Sequence, residues 1–161
     1  MRLIVADTSP LVYLVLIKHI DILPKLFESV IVPDTVHREL CHHSAPERVQ
    51  NWATALPSWV DLRLAPDMPD DGMLQALGAG ERAAISLALS IHADLVLIDE
   101  RKGTQAALER GLAVAGTLGI LQRGARQRLL NLAEAFDRLK QTNFRYRQEM
   151  MDRLLAEWQR H

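Results

Sequence analysis

Five short aliphatic runs, each separated from the next by a stretch that reads as helix, do most to narrow the fold of this chain. Leu3-Ile4-Val5-Ala6 is a continuous apolar run, as expected of a strand buried on both faces. Val30-Ile31-Val32 is the second, ended by Pro33. Val60–Leu64 is a weaker third, Leu95-Val96-Leu97-Ile98 a fourth and Ala113-Val114-Ala115 a short fifth. Pro10 stands near the start of the helix after the first run, where its missing N–H costs nothing. Asp34 or Thr35 can cap a helix running to about His42, and Pro46 starts another that runs to about Ala55. Over Glu81–His92, residues Ala84, Ile85, Ala88, Leu89 and His92 recur at helical spacing. Thr104–Arg110 reads as helix, with Gly111 placed to end it in the left-handed conformation. Ala65–Gly72, rich in Pro, Gly and Asp, reads as a loop. The remainder reads as helix broken near Gly124 and Thr142-Asn143. Strands alternating with helices imply a parallel sheet with right-handed crossovers. Such sheets bind ligands beyond their C-terminal strand ends, where the strand order reverses.

A chain of 161 residues fits one domain with a full core, and 48% apolar with 24% charged residues sets disorder aside. The apolar run Leu11–Ile17 is too short to span a bilayer. Asp7 interrupts the N-terminus before a secretory apolar region develops, so a cytoplasmic location is expected. The single cysteine, Cys41, excludes an internal disulfide. Net charge is −1, but unevenly spread: residues 1–120 hold 10 Lys/Arg against 15 Asp/Glu, and residues 121–161 hold 9 against 5. An acidic body with a basic tail suits an acidic metal site beside a phosphate-attracting surface.

The acids stand where that architecture binds ligands. Asp7 follows the first strand, and Asp99 and Glu100 follow the fourth. Glu39 lies on the helix after the second strand. Glu81 opens the helix before the fourth, behind Gly78-Ala79-Gly80. Carboxylates on neighbouring strand ends, about 5 Å apart, repel and call for a proton or a cation between them. Mg²⁺ and Mn²⁺ suit such an all-oxygen cluster. Each acid also has a plainer role open to it: Asp7 or Asp99 as a helix cap, Glu81 as a complement to a helix dipole. Capping, however, requires no common location. Arg82, Arg101 and Lys102 flank the acids and are candidates for touching substrate phosphates, or simply exposed helix-end charges.

Four segments, in order, carry a family resemblance: Leu-Ile-Val-Ala-Asp7-Thr8-Ser9-Pro10, Val-Pro-Asp-Thr-Val-His-Arg-Glu39-Leu, Gly78-Ala-Gly-Glu81-Arg-Ala-Ala-Ile and Leu-Val-Leu-Ile-Asp99-Glu100-Arg-Lys. Together they resemble the successive motifs of PIN-domain proteins, over about residues 1–121. The run Gly-Leu-Ala-Val-Ala-Gly-Thr-Leu-Gly-Ile-Leu from Gly111 is similar to a prokaryotic subgroup. The resemblance implies a three-layer α/β/α fold with a five-stranded parallel sheet in the order 3-2-1-4-5. Residues 1–125 read as the PIN-like domain, and residues 126–161, which extend past the resemblance, read as a C-terminal helical extension of the same domain. The implied activity is Mg²⁺- or Mn²⁺-dependent hydrolysis of RNA leaving a 5′-phosphate. VapC-like relatives are often the toxin of a toxin–antitoxin pair, which points to an antitoxin partner and a homodimer. Carried over by motif, Asp7, Glu39, Glu81 and Asp99 are catalytic and bind metal, with Glu100 an alternative to Asp99, and Thr8 or Ser9 supplies a supporting hydroxyl. The alternative is a PIN fold without catalysis that only binds RNA or protein.

Other signals weigh less. Gly78-Ala-Gly80-Glu-Arg-Ala83 matches a dinucleotide fingerprint, but helix-like Met73–Leu77 precedes it where a strand is required. His37 and Cys41 stand at zinc-ligand spacing without a second pair. A haloacid-dehalogenase phosphatase wants an Asp where Ser9 stands, and a receiver domain wants a late lysine that Val114-Ala115-Gly116 lacks. Met151, Leu154, Leu155 and Trp158 form an apolar stripe whose default partner is the chain's own core, with a dimer or antitoxin interface as the second reading.

Overall fold

A computed structural model of the chain describes residues 2–67 and 72–160. Five strands, β1 (Ile4–Ala6), β2 (Val30–Pro33), β3 (Val60–Arg63), β4 (Leu95–Leu97) and β5 (Val114–Ala115), form one sheet in the order β3-β2-β1-β4-β5. Every pairing is parallel, with Val5 opposite Ile31 and Val96, and Ala6 opposite Leu97. The order reverses at β1 and β4, so Asp7 and Asp99 leave adjacent strands one residue out of step. The Asp7 N–H donates to Leu97 O at 2.8 Å and extends the ladder to the rim.

Side chains alternate across the sheet, and the core divides accordingly. Ile4, Ala6, Val30, Val32, Leu95 and Leu97 face one side, packed on α1 (Thr8–Leu16), α8 (Thr117–Arg126), α9 (Leu132–Lys140) and α10 (Gln148–Gln159). Val5, Ile31, Val96 and Ile98 face the other, under α6 (Ala79–Ile91) and α7 (Arg101–Glu109). This is the expected three-layer α/β/α arrangement. The short α2 (Ile22–Phe27), α3 (Asp34–Cys41), α4 (Glu47–Thr54) and α5 (Gly72–Gln75) complete the helices among the described residues. None of the helices is long and apolar enough to cross a membrane.

Several boundaries differ from the sequence expectation. Pro33 is the last strand residue and itself precedes α3. Asp34 does not cap: its carboxylate receives the Ala65 N–H from the end of β3. α2 was not legible because Pro24 lies inside it, tolerated in a first turn whose N–H groups have no helical partner. α7 starts at Arg101, three residues before Thr104. Gly124 does not break α8 but lies within it, where the missing Cβ admits Leu130: a Cβ there would stand 3.0 Å from Leu130 Cδ2. The chain turns instead at Gln127-Arg128, with Arg128 at φ 60°. Gly111 is left-handed as expected, at φ 82°. Residues 65–67 carry no regular structure, 68–71 of the expected loop lie outside the described residues, and Gly72 begins α5. The C-terminal stripe packs inward: Met151 and Leu154 are buried in the larger core half, with Leu155 and Trp158 against it.

Candidate active site

The C-terminal rim of β1 and β4 opens into a pocket of about 300 Å³. Asp7, Glu39, Glu81 and Glu100 line it, together with Thr8 and Tyr13 from α1. Among the described residues, no Lys, Arg or His belongs to its lining. Asp7 is the most confined of the four, only 3% exposed at the start of α1. It stands in the capping position yet makes no cap hydrogen bond with its side chain, so the plainer role does not account for it. Burial pushes its carboxyl up from 3.8 to about 7, Glu81, Glu39 and Asp99 add to the effect, and the Thr8 amide opposes it.

Glu39 and Glu81 are positioned by glycines, and Glu39 also by a hydroxyl. Glu39 projects from α3 onto the first turn of α6, its Oε1 receiving the Thr8 hydroxyl at 3.1 Å. Its carboxylate occupies the space a Cβ on Gly80 would need. Glu81 lies between α6 and α7. Its Oε1 takes the Gly78 N–H at 3.2 Å, which is the helix-end role, while its Oε2 is buried without a hydrogen-bond partner. A Cβ on Gly103 would stand 2.5 Å from that Oε2. Burial raises the Glu81 pKa, and Glu100 and Glu39 raise it further against the Gly78 amide. Glu100 is exposed and sits at the start of α7, making no cap bond.

Asp99 is held differently and is not part of that lining. Its Oδ1 takes the Thr117 N–H at 2.7 Å, and its Oδ2 takes the Thr117 hydroxyl at 2.7 Å and the Ser9 hydroxyl at 3.0 Å. It therefore serves the helix α8, far along the chain, rather than the helix that follows it. Gly116 makes the approach possible, since a Cβ there would lie 2.9 Å from Asp99 Oδ1. Burial still raises the Asp99 pKa, opposed by its bonds to Thr117 and Ser9. Ser9 bridges the two groups, with Asp99 behind it and the acidic pocket in front.

Among the described residues, no three of the His, Cys, Asp or Glu side chains already surround a common point for an ion. Glu39, Glu81 and Asp99 each direct an oxygen toward a local donor. The donor set nevertheless fits a hard divalent ion: all oxygen, no competing cation, and one buried carboxylate oxygen left without a partner. Of the flanking cations, Arg82 is half-buried, while Arg101 and Lys102 are exposed on α7. His37 is not a metal site in the making: its Nε2 meets Ala53 O at 2.9 Å and Cys41 Sγ at 3.4 Å, tying α3 to α4.

Sequence reading did not single out Tyr13 or Gly103, and it includes Gly116 and Thr117 in the family-like run from Gly111 without a site role. Gly103 stands just ahead of the expected helix start at Thr104, so no helical pattern marks it. The bonds of Thr117 to Asp99 appear only in the structure. No curated protein matches the chain. The family model described as DUF3368: PIN domain matches residues 3–160, nearly the full length. The chain belongs to the PIN-domain family.

Proposed function

We propose that this PIN-domain chain is an Mg²⁺- or Mn²⁺-dependent endoribonuclease whose ion is held by Asp7, Glu39, Glu81 and Glu100. PIN domains are generally nucleases and typically use divalent metals, so the class follows from the family. The observation that carries the finer reading is the pocket itself: four carboxylates, one nearly inaccessible to water, with no cation in the lining. A bound divalent ion supplies the charge that activates water and offsets the charge building on a phosphodiester.

The chain's own residues do the rest. Asp7, on the buried end of β1, fixes the floor of the site. Glu39 and Glu81 enter from opposite helices over Gly80 and Gly103, and Thr8 orients Glu39. Asp99 is a positioning residue in this reading: through Ser9 it sets the α1 side of the pocket, and its oxygens already serve Thr117. This departs from the carry-over by motif, which favours Asp99 over Glu100.

Cleavage of single-stranded RNA in Mn²⁺ tests the activity. Asp7→Asn should lower the rate by on the order of a thousandfold, the value of several kcal/mol of charge stabilisation. Undiminished cleavage would remove the reading. Calorimetric Mn²⁺ titration tests the assignment. Glu100→Gln should weaken binding at unchanged melting temperature, while Asp99→Asn should mainly lower the melting temperature. The reverse pattern would return the fourth ligand to Asp99.

The toxin role extends the proposal: a homodimeric toxin of a type II pair, neutralised by an antitoxin protein. Its support is the resemblance to VapC-like chains. Growth arrest on expression, relieved by the product of an adjacent small open reading frame but not needed for Asp7→Asn, would be the expected outcome.

A further inference from the structure

A second pocket, of about 600 Å³, lies against the first with Asp99 in its wall. Its other side is the segment between α9 and α10, contributing Phe144, Arg145, Tyr146 and Arg147, and Arg101 of α7 also lines it. Arg101, Arg145 and Arg147 are exposed, and Tyr146 is 38% exposed. Among the described residues, the only carboxylate in the lining is Asp99, whose oxygens are already engaged by Thr117 and Ser9. The pocket thus pairs an available aromatic face with three guanidiniums.

The segment is fixed in place rather than loosely draped. The Thr142 hydroxyl donates to Leu139 O at 2.6 Å and accepts the Phe144 N–H at 3.1 Å. The Tyr13 hydroxyl donates to Asn143 Oδ1 at 2.9 Å, and the Tyr13 ring meets Phe144 edge-on with centroids 4.9 Å apart. Tyr13 also lines the acidic pocket. The aromatic-basic wall is therefore braced on a side chain of the candidate active site.

We propose that this second pocket receives one unpaired nucleotide of the RNA beside the phosphate to be cut, its base stacked on Tyr146 and its backbone held by Arg145, Arg147 and Arg101. The inference rests on the ribonuclease reading and adds to it the side chains that would hold the substrate; a stacking face of this kind reaches only an unpaired base. Charge complementarity supports it. Among the described residues, the charged side chains that line the first pocket are all acidic and repel RNA, so affinity in the absence of metal has to come from a neighbouring basic surface. A pocket of this size falls in the range that encloses small ligands.

Fluorescence anisotropy of the full chain with a labelled oligouridine, in EDTA, tests binding apart from cleavage. Tyr146→Ala should weaken binding roughly five- to hundredfold, and Tyr146→Phe should keep it within about twofold, since stacking survives. Arg145→Ala with Arg147→Ala should lower the slope of log affinity against log salt by about 1.4, the contribution of two single-strand phosphates. An RNA duplex of equal length should bind more weakly and be indifferent to Tyr146→Ala. Wild-type affinity in Tyr146→Ala, or equal sensitivity with the duplex, would overturn the proposal. So would loss of antitoxin binding in Tyr146→Ala with RNA binding intact. If wild type binds RNA through Tyr146 yet cuts nothing in Mn²⁺, the pocket stands and the catalytic reading falls.

Discussion

Asp7 and Asp99 leave adjacent strands side by side, yet their surroundings are opposite. Asp99 has a backbone amide and two hydroxyls on its two oxygens, in a region where Gly116 and Thr117 are shaped around it. Asp7 lies deeper, among Glu39 and Glu81, and its carboxyl is pushed up to about 7. Glu81 beside it keeps a buried oxygen without any partner. Unmet bonding capacity of this kind normally costs stability. On the proposed reading, the satisfied acid belongs to the scaffold and the unsatisfied ones to the metal site. The contrast separates two carboxylates that position along the strands does not.

The largest effect that would sharpen the contrast is on stability against pH in EDTA. In the folded chain Asp7 holds its proton up to about 7, and when unfolded only up to 3.8. The folded state therefore binds more protons in between. The stability this gives is complete below 3.8 and is lost as the pH rises to about 7, amounting to as much as roughly 4 kcal/mol. Glu81 and Asp99, also raised, act in the same direction. His19, lowered chiefly by burial, tilts the other way around its own titration range, so the informative comparison is with Asp7→Asn. Urea unfolding between pH 5 and 8 should show a fall in wild type that is much reduced in the variant, and added Mn²⁺ should restore stability at pH 8. Parallel profiles for the two proteins would erase the distinction.

A smaller effect is expected at Gly103. A Cβ there meets Glu81 Oε2 at 2.5 Å and Ile98 Cδ1 at 2.7 Å, so Gly103→Ala should cost about 2 kcal/mol by overpacking and weaken Mn²⁺ binding. Gly119→Ala is the control. Its Cβ finds only Ala115 Cβ, 4.0 Å away, and should be neutral or stabilising by up to about 1 kcal/mol. Chemical denaturation of both variants decides the matter, and equal losses would show that the space at Gly103 is not reserved for a carboxylate. The smallest effect belongs to the satisfied region. Thr117→Val removes one donor from Asp99 and should cost about 1 kcal/mol, a fall of about 2–4 °C in melting temperature. Mn²⁺ affinity should hardly change, and a large drop would place Asp99 in the metal site.

The strand ends were legible because period and composition mark a buried parallel strand and its last residue, which put Asp7, Asp99 and Glu100 on one rim. The resemblance placed Glu39 and Glu81 with them. The sequence leaves Asp99 and Glu100 both open as the fourth acid, because both follow the same strand; the hydroxyls of Thr117 and Ser9 on Asp99 are the structural difference on which the proposal for Glu100 rests. Gly124 reads as a helix break and is a contact with Leu130. Gly103 and Gly116, for which the sequence offers no such reading, each leave room for a carboxylate from a distant segment. Such pairings leave no periodic trace along the chain.

Tyr13 carries one more consequence. It borders the acids with one side and grips Asn143 and Phe144 with the other. Shortening the chain after residue 142 would keep every candidate ligand in the sequence and still loosen the wall they share. The segment that joins α9 to α10 is thus a buttress for the candidate site, and a minimal version of the domain should need it as well as the acids.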